Sequence, residues 1–512
     1  MLTLSSALAR ARRQAGSRVA IREPDRDFTW AEHVERVARL AGGLREMGLD
    51  PGARIGILSR NTFRQAELIH AGYWSGILPV PVNVRLAPRE IAFVLEDAGC
   101  RLLAVDPALL ALLDTEALAI WRQRCFLLSD RGGAGPSHEE IIADAQAISR
   151  RDAAEDDDAI LLYTGGTTGR AKGVRLTHRN IVANGLQVGM ALGIRESDRY
   201  LHVAPMFHSA DLLGTALTLA GATHVYLPEF SAPAYLGAIE RARVTASMLA
   251  PTMLIMVLQH PEFARYDLSS LRIQIYGSSP MAEPWIRRTL EALPLASVTQ
   301  GYGLTETAPI LSFLTHGDHL AALAAGDSAR LACAGRTLPG VDLRIVDDAG
   351  HDVPRGASGE VIVRGPNITP GYCGLPEVNR ETFRDGWFHT GDVGREDEDG
   401  FLYLLDRKKD MIVTGGENVY SSEVEAALGT HPGIAEVAVI GVPDETYGEA
   451  VFAVVAAKPG ATPTELELIA HCRGRIGGYK IPRRFAFVDL LPKSALGKVL
   501  KADLRRQFGA GA

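Results

Sequence analysis

The sequence predicts an α/β protein: a large N-terminal domain of doubly wound, mostly parallel sheets, a small β-subdomain, and a compact, mobile α+β domain at the C-terminus. Three observations carry this expectation. From about residue 50, short β-branched runs alternate with amphipathic helical stretches. After about Gly335 the texture changes to short strands between Gly, Asp and Pro turns. Beyond Asp406-Arg-Lys-Lys-Asp410 the chain follows a strand–helix pattern of its own. Strands separated by helical patterns imply βαβ units and a sheet covered on both faces.

The elements follow in order. After the Asp50–Gly52 turn, Arg54–Leu58 reads as a strand, Phe63–Trp74 as a helix, Leu78–Val82 as a strand and Pro88–Ala98 as a helix. Arg101–Val105, Phe126–Leu128, Ile160–Tyr163, Leu201–Ala204, Val225–Leu227, Ser247–Leu249 and Ile273–Tyr276 continue the strand series. Val341–Val346, Gly359–Val363 and Phe401–Leu405 suit the β-subdomain. The last stretch reads β, α, β, β, α, β and a short helix. The expected domains are therefore 1–406 (β-subdomain about 335–405), a hinge at 407–410, and 411–512. Gly132–Ser137 and Glu155–Asp158 read as solvated loops, and no internal repeat is evident.

Composition narrows the function. Of 512 residues 46% are hydrophobic and 22% charged, which excludes a mostly disordered chain, a coiled coil or a collagen-like repeat. The net charge of −7, without a basic block, argues against nucleic acid as a partner. Five scattered cysteines with no CxxC indicate neither a zinc ribbon nor a disulfide framework, and fit a reducing compartment. The N-terminal segment lacks the apolar run of a secretory signal. Val244–Pro261 is uncharged, but Pro251 splits it into a strand and a helix, so no transmembrane segment is expected. The expected location is cytoplasmic.

The strongest local signal is Tyr163-Thr-Gly-Gly-Thr-Thr-Gly-Arg-Ala-Lys-Gly173, a hydrophobic strand running into glycines and threonines that end in a lysine. Backbone N–H groups, hydroxyls and an ammonium suit a polyphosphate. It is not a Walker A loop, because Lys172 follows Ala171 and precedes Gly173. A bare glycine-rich loop reads equally well as a flexible hairpin; the threonine pair and the lysine favour phosphate.

This loop resembles the phosphate-binding motif of the adenylate-forming superfamily, whose usual YTSGTTGxPKG is here YTGGTTGRAKG, with Gly165 for serine and Ala171 for proline. The rest of the chain supplies the superfamily's other motifs in order. Gln300-Gly-Tyr-Gly-Leu-Thr-Glu-Thr307 is similar to its YGxTE element. The resemblance implies Tyr302 on adenine, Thr305 at the α-phosphate and Glu306 holding Mg²⁺. Tyr276-Gly-Ser-Ser-Pro-Met281 is similar to the turn lining adenine and the acyl group. Trp387-Phe-His-Thr-Gly-Asp392 resembles the motif whose aspartate accepts both ribose hydroxyls. Arg407 would also reach the ribose, and Lys409 would be the hinge. The nucleotide set so implied is Thr164, Gly165, Gly166, Thr167, Thr168, Gly169, Lys172, Gly277, Ser278, Ser279, Pro280, Gln300, Gly301, Tyr302, Gly303, Thr305, Asp392 and Arg407.

Thr414-Gly-Gly-Glu-Asn-Val-Tyr-Ser-Ser-Glu423 resembles the loop lining the pantetheine tunnel of acyl-CoA synthetases, with Gly415, Gly416 and Glu417 toward CoA. Relatives often have proline where Ser421 stands. Leu491-Pro-Lys-Ser-Ala-Leu-Gly-Lys-Val499 resembles the terminal motif whose lysine, here Lys498, drives adenylation. Pro492–Lys498 also fits the pattern around which such lysines are acetylated.

Ala204-Pro-Met-Phe-His-Ser-Ala-Asp211 separates branches of the superfamily. Amino-acid-activating domains place an aspartate after the phenylalanine; here His208 stands there, as in acyl- and aryl-CoA synthetases. His208 reads as a gate or as a core histidine, and Asp211 as a substrate contact or as the cap of a helix through Leu212–Leu219. The acyl pocket implied by the resemblance is His208, Ala210, Gly214, Met248 and Gly303.

The expected activity is an ATP-dependent acid–CoA ligase acting on a medium- or long-chain fatty acid or an aryl acid. Its catalytic residues would be Lys498, His208 and Glu306. The alternatives are transfer of the acyl group to a carrier protein, or a non-catalytic acyl- or nucleotide-binding relative. ATP, Mg²⁺ and CoA are the expected cofactors. The expected partners are a carboxylic acid, a second copy of the chain in a homodimer, and a lysine acetyltransferase acting on Lys498.

Overall fold

The computed structural model describes residues 2–509 apart from 134, 165–170, 415–416, 445–446, 474 and 494–497. The chain forms two compact units, 1–342 with 364–388, and 343–363 with 389–512.

Two layered sheets organise the first unit. Four parallel strands, ordered Leu78–Pro81, Arg54–Leu58, Cys100–Val105 and Cys125–Leu127, form one. Nine strands form the other, with Ser297–Tyr302, Ile273–Gly277, Ala246–Leu249, Arg199–His202, Thr223–Tyr226 and Val19–Arg22 parallel in that order and antiparallel strands at both edges. Crossover helices such as Phe63–Ser75 and Pro251–Leu258 cover the sheets. Pro251 opens its helix at the position where a missing N–H costs nothing, which is why the uncharged segment breaks there. Trp30, Leu40, Ile55, Ile57 and Phe126 are fully buried in the core.

One strand departs from the expected parallel series. Asp158–Thr164 pairs antiparallel with Lys172–Thr177, which in turn pairs with Gly371–Tyr372. The connection between the first two is too short for a crossover, which takes a dozen or more residues, so the chain must return as a hairpin.

The second unit takes in part of the β-subdomain together with the C-terminal elements. Strands Gly359–Arg364, Trp387–Glu396 and Leu402–Arg407 belong to a small antiparallel sheet, most of which is grouped with the C-terminal elements. The reason is visible at the helix Ser421–Gly429. Asp406 accepts from the Ser421 N–H at 2.5 Å and from its hydroxyl at 2.7 Å, and the Tyr420 hydroxyl donates to Ser358 at 3.0 Å. The C-terminal order has one strand more than expected, Glu417–Val419, which forms a hairpin with Ile412–Thr414. Ile434–Asp444 and Gly448–Ala457 form the long central hairpin, around a core that includes Val424, Val439, Val451 and Leu468. No helix of the described residues is long and apolar enough to cross a membrane.

Candidate functional site

The carboxyl ends of parallel strands in an open sheet form the crevice where ligands bind. Here Gly277 ends one such strand and faces Gly301, the last residue but one of its neighbour, in direct register. A Cβ on Gly277 would meet the Gly301 carbonyl oxygen at 2.4 Å, so glycine lets the two strands close up. Ser278 follows with φ +71°, a left-handed conformation that a serine adopts only when its surroundings impose it. Ser279 and Pro280 complete the turn. Gln300, Tyr302, Gly303 and Thr305 extend from the adjacent strand, Tyr302 buried and Gln300 half-buried. The Cβ direction of Gly303 is taken up by the Pro309 carbonyl oxygen at 2.0 Å, so glycine here lets the chain approach itself closely.

Thr164 and Lys172 face each other at the mouth of the hairpin. Gly165, Gly166, Thr167, Thr168 and Gly169 lie outside the described residues. The Lys172 ammonium stands 5.2 Å from the centre of the Tyr372 ring, and the Tyr372 hydroxyl donates to Glu306 Oε1 at 2.8 Å. Tyr372 thus joins two of the expected residues, yet nothing in its own segment marked it in the sequence. Glu306 is buried, and its Oε2 bonds no described residue. A lone buried carboxylate oxygen with open lone pairs suits a hard cation that takes its other ligands from phosphate and water.

In the second unit Asp392 and Arg407 pair across two antiparallel strands, with Nε 2.7 Å from Oδ1. The Lys498 ammonium is near enough to feel both groups. Desolvation by the surrounding protein lowers its pKa from the ordinary lysine value, Arg407 lowers it further and Asp392 opposes. Lys409 is exposed in the turn that follows Arg407; desolvation lowers its pKa also. Glu417 is exposed at the start of the extra strand, while Gly415 and Gly416 lie outside the described residues.

The segment of His208 leads into a cavity of about 50 Å³ in the first unit. Ser209 Oγ lies 3.1 Å from Thr305 Oγ1, which ties this segment to the YGLTE motif. His208, Asp211 and Gly214 line the cavity; Ala210, Met248 and Gly303 do not. Asp211 is not a cap. It sits within the short 3-10 turn Ser209–Leu213 and holds His202, whose Nδ1 is 2.6 Å from Oδ1. His202 Nε2 is 2.8 Å from His224 Nδ1, and His224 Nε2 is 3.2 Å from the Thr218 hydroxyl.

A carboxylate can only accept, so His202 donates to Asp211. His224 is held neutral because burial, and then His202, push its pKa well below the usual range. One of the two imidazoles donates across the His202–His224 bond, and the Thr218 hydroxyl closes the far end of the chain. Gly214 makes room for this chain: a Cβ there would meet His202 Cε1 at 2.6 Å. The signal for the chain was present in the sequence, in the alternation Tyr200-Leu-His202 and His224-Val-Tyr226. It puts all four rings on one face of adjacent strands.

The sequence matches the profile of the AMP-binding enzyme family over residues 8–373 and that of the AMP-binding enzyme C-terminal domain over residues 423–498. It is 38% identical over 508 residues to a feruloyl-CoA synthase of an Amycolatopsis species, covering 99% of both chains. It is 38% identical to an indoleacetate–CoA ligase of Aromatoleum aromaticum, covering 96% of this chain and 95% of the other. Among solved structures, ATP-bound MatB from Rhodopseudomonas palustris superposes with a TM-score of 0.88 at 32% identity, covering 99% of both chains.

Proposed function

The chain belongs to the AMP-binding enzyme family, and from that premise we propose that it is an AMP-forming acid–CoA ligase acting on an aryl acid. The observation that carries this reading is the meeting of two sites in one unit. The Thr305–Glu306 corner, expected at the phosphates, is bonded through Ser209 to the cavity-lining segment of His208. A nucleotide and a carboxylic acid bound there would present the carboxylate to the α-phosphorus.

In the first step a carboxylate oxygen attacks the ATP α-phosphorus and pyrophosphate leaves. Lys498 stabilises the negative charge that builds on the phosphate and carboxylate oxygens. Glu306 would hold Mg²⁺, which supplies further charge neutralisation on the phosphates. Asp392 and Arg407 orient the ribose. In the second step the CoA thiol attacks the acyl carbonyl, a C–S bond forms, and AMP departs with the C–O electron pair. The chain turns about Lys409 between the two steps, and Gly415, Gly416 and Glu417 line the approach of CoA.

An aryl acid is favoured over a long alkyl chain because the feruloyl-CoA synthase and indoleacetate–CoA ligase relatives are 38% identical over nearly their whole length, against 33% for a long-chain-fatty-acid–CoA ligase. The test is a panel of aryl and fatty acids assayed for AMP release with and without CoA. Thioester formation that requires CoA supports the reading. AMP release at the same rate without CoA, or acyl transfer to a carrier protein only, overturns it.

A further inference from the structure

The cavity beyond His208 has one apolar wall, which includes Leu4, Leu8, Ile69 and Ile160, and a cluster of hydrogen-bonding side chains. In the chain Thr218–His224–His202–Asp211 every ring nitrogen has a partner, so the chain satisfies itself and leaves one oxygen open, Asp211 Oδ2. The Asp211 side chain is 14% exposed, and no described residue bonds that oxygen. Around it stand further polar groups that line the cavity. The Tyr73 residue is 5% exposed, and its hydroxyl bonds no described residue. The same holds for the hydroxyl of Tyr226 and that of Thr215. His70 Nε2 also has no described partner, its Nδ1 being 2.9 Å from His33 Nε2. These atoms face the cavity, where water or a polar group of a ligand can complete them, and a ligand atom that displaces the water has to replace its hydrogen bonds.

Size limits what can enter. About 50 Å³ is a third of the roughly 150 Å³ of cavity that holds a benzene ring, and room for a few waters at about 10–15 Å³ each. The cavity therefore receives the end of an acid, not all of it. His208 lines the cavity and its neighbour Ser209 bonds Thr305, so an acid whose carboxylate lies toward the nucleotide corner would turn its remote end to the cavity.

We propose that the acid carries a hydroxyl group at the end remote from its carboxylate, and that this hydroxyl donates to Asp211 Oδ2. The assignment rests on the acid–CoA ligase reading and narrows it. A methoxy group, which only accepts, and a bare C–H, which does neither, have no proton to give the carboxylate and leave that oxygen without a partner. Asp211 is thus the specificity-determining residue, held in place by His202, and the neighbouring hydroxyls are free to donate to the oxygen of the same substrate group.

The test compares para-hydroxycinnamate with cinnamate and with para-methoxycinnamate, and an ω-hydroxy fatty acid with its parent, by kcat/KM for CoA-dependent AMP release. The expected result is a preference for the hydroxylated member of at least one pair by roughly 10²-fold or more, because sites built to bond a substrate hydroxyl reject analogues lacking it strongly. Which pair shows it tells whether a ring or a chain carries the hydroxyl. Asp211→Asn turns an acceptor into a group that also donates, and the preference over the methoxy acid should fall below ten-fold. A wild-type preference below ten-fold in both pairs, in an enzyme that turns these acids over with CoA, overturns the proposal and leaves the ligase reading intact. Absence of CoA-dependent turnover across a wide acid panel overturns the ligase reading instead. The wild-type comparison decides the matter even where Asp211→Asn does not fold.

Discussion

Arg407 Nε lies 2.7 Å from Asp392 Oδ1, and the two residues occupy facing positions on neighbouring antiparallel strands. This fixes a positive and a negative group beside the ammonium of Lys498, with opposite effects on its proton. Desolvation and then Arg407 favour its loss, and Asp392 favours its retention. A lysine that must be charged to stabilise developing negative charge works only below its pKa. Adenylation should therefore fall on the alkaline side at a pH below the ordinary lysine value, and Arg407→Ala should move that limb upward. Single-turnover pyrophosphate release against pH checks both. A limb that Arg407→Ala leaves unmoved would show that another group titrates.

Removing the Lys498 charge altogether has a larger effect. Losing one preorganised donor costs on the order of 10²–10³ in rate. Lys498→Ala, or protein acetylated at Lys498, should lose adenylation by at least that factor. Synthetic acyl-adenylate plus CoA should still yield thioester at close to the wild-type rate. Normal adenylation by the fully acetylated protein would refute the role.

Asp406 accepts two hydrogen bonds from Ser421, where relatives often carry proline. Proline has neither the N–H nor the hydroxyl, so Ser421→Pro removes both bonds at once. Bonds to a charged group are worth about 1.5–3 kcal/mol each when protected. Under the role proposed for Lys498, these bonds help hold the unit in which Lys498 lies near Asp392. Ser421→Pro should slow adenylation by roughly ten-fold and leave the thioester step unchanged or faster. Lys409→Pro should do the reverse: the bonds of its turn are made by the amides of Lys408, Asp410 and Met411, so proline removes none of them and restricts only rotation. Rapid-quench measurement of both half-reactions separates the two; equal slowing of both steps by Lys409→Pro would remove the hinge.

Much of this was legible in the sequence, and the gaps have a common cause. Strand and helix periodicity is local, so the Arg54–Leu58, Phe63–Ser75 and Ile273–Gly277 elements could be read within a residue or two of their ends. The glycines of Tyr276–Met281 and Gln300–Thr307 stand in contiguous motifs, and the structure sets them side by side. By contrast, Tyr372–Glu306 and Ser209–Thr305 join segments 66 and 96 residues apart, and no periodicity spans such distances. The antiparallel return of Lys172–Thr177 was hidden because a strand's own composition does not reveal the direction of its partner. The role of Asp211 was hidden because a helix-capping aspartate and a histidine-bound aspartate look identical until His202 is in place.

Buried neutral histidines make stability depend on pH. Burial pushes His178 down to about 4, and it lowers His70 and His224 well below the usual value of 6.5. His178 Nδ1 accepts from the Leu4 N–H, which requires that it carry no proton. Below pH 6.5 the unfolded chain takes up these protons and the native state does not, so stability present above that pH is lost as pH falls. Each such histidine contributes up to about 1.4 kcal/mol per pH unit. The urea midpoint should drop steadily from pH 7 to 5, and His178→Asn should flatten the slope by about one proton. A midpoint that stays constant over this range would contradict the buried neutral state.

Gly214 is the point where the acid cavity and the histidine chain compete for space. Its Cβ direction ends 2.6 Å from His202 Cε1, inside the contact distance of any real side chain. A larger residue therefore does not simply shorten the pocket; it first displaces the imidazole that holds Asp211. Gly214→Ala should cost about 1–3 kcal/mol by overpacking, with the loss concentrated in the histidine chain. Because His202 no longer fixes Asp211, the preference for a hydroxylated acid should weaken along with stability. A substitution that only filled space would leave that preference intact and lower kcat/KM most for the largest acids. Measuring thermal stability together with the ratio of kcat/KM for para-hydroxycinnamate and cinnamate distinguishes the two. Loss of stability with an unchanged ratio would mean that Asp211 keeps its position without His202; an unchanged stability would mean that the His202 ring yields without cost.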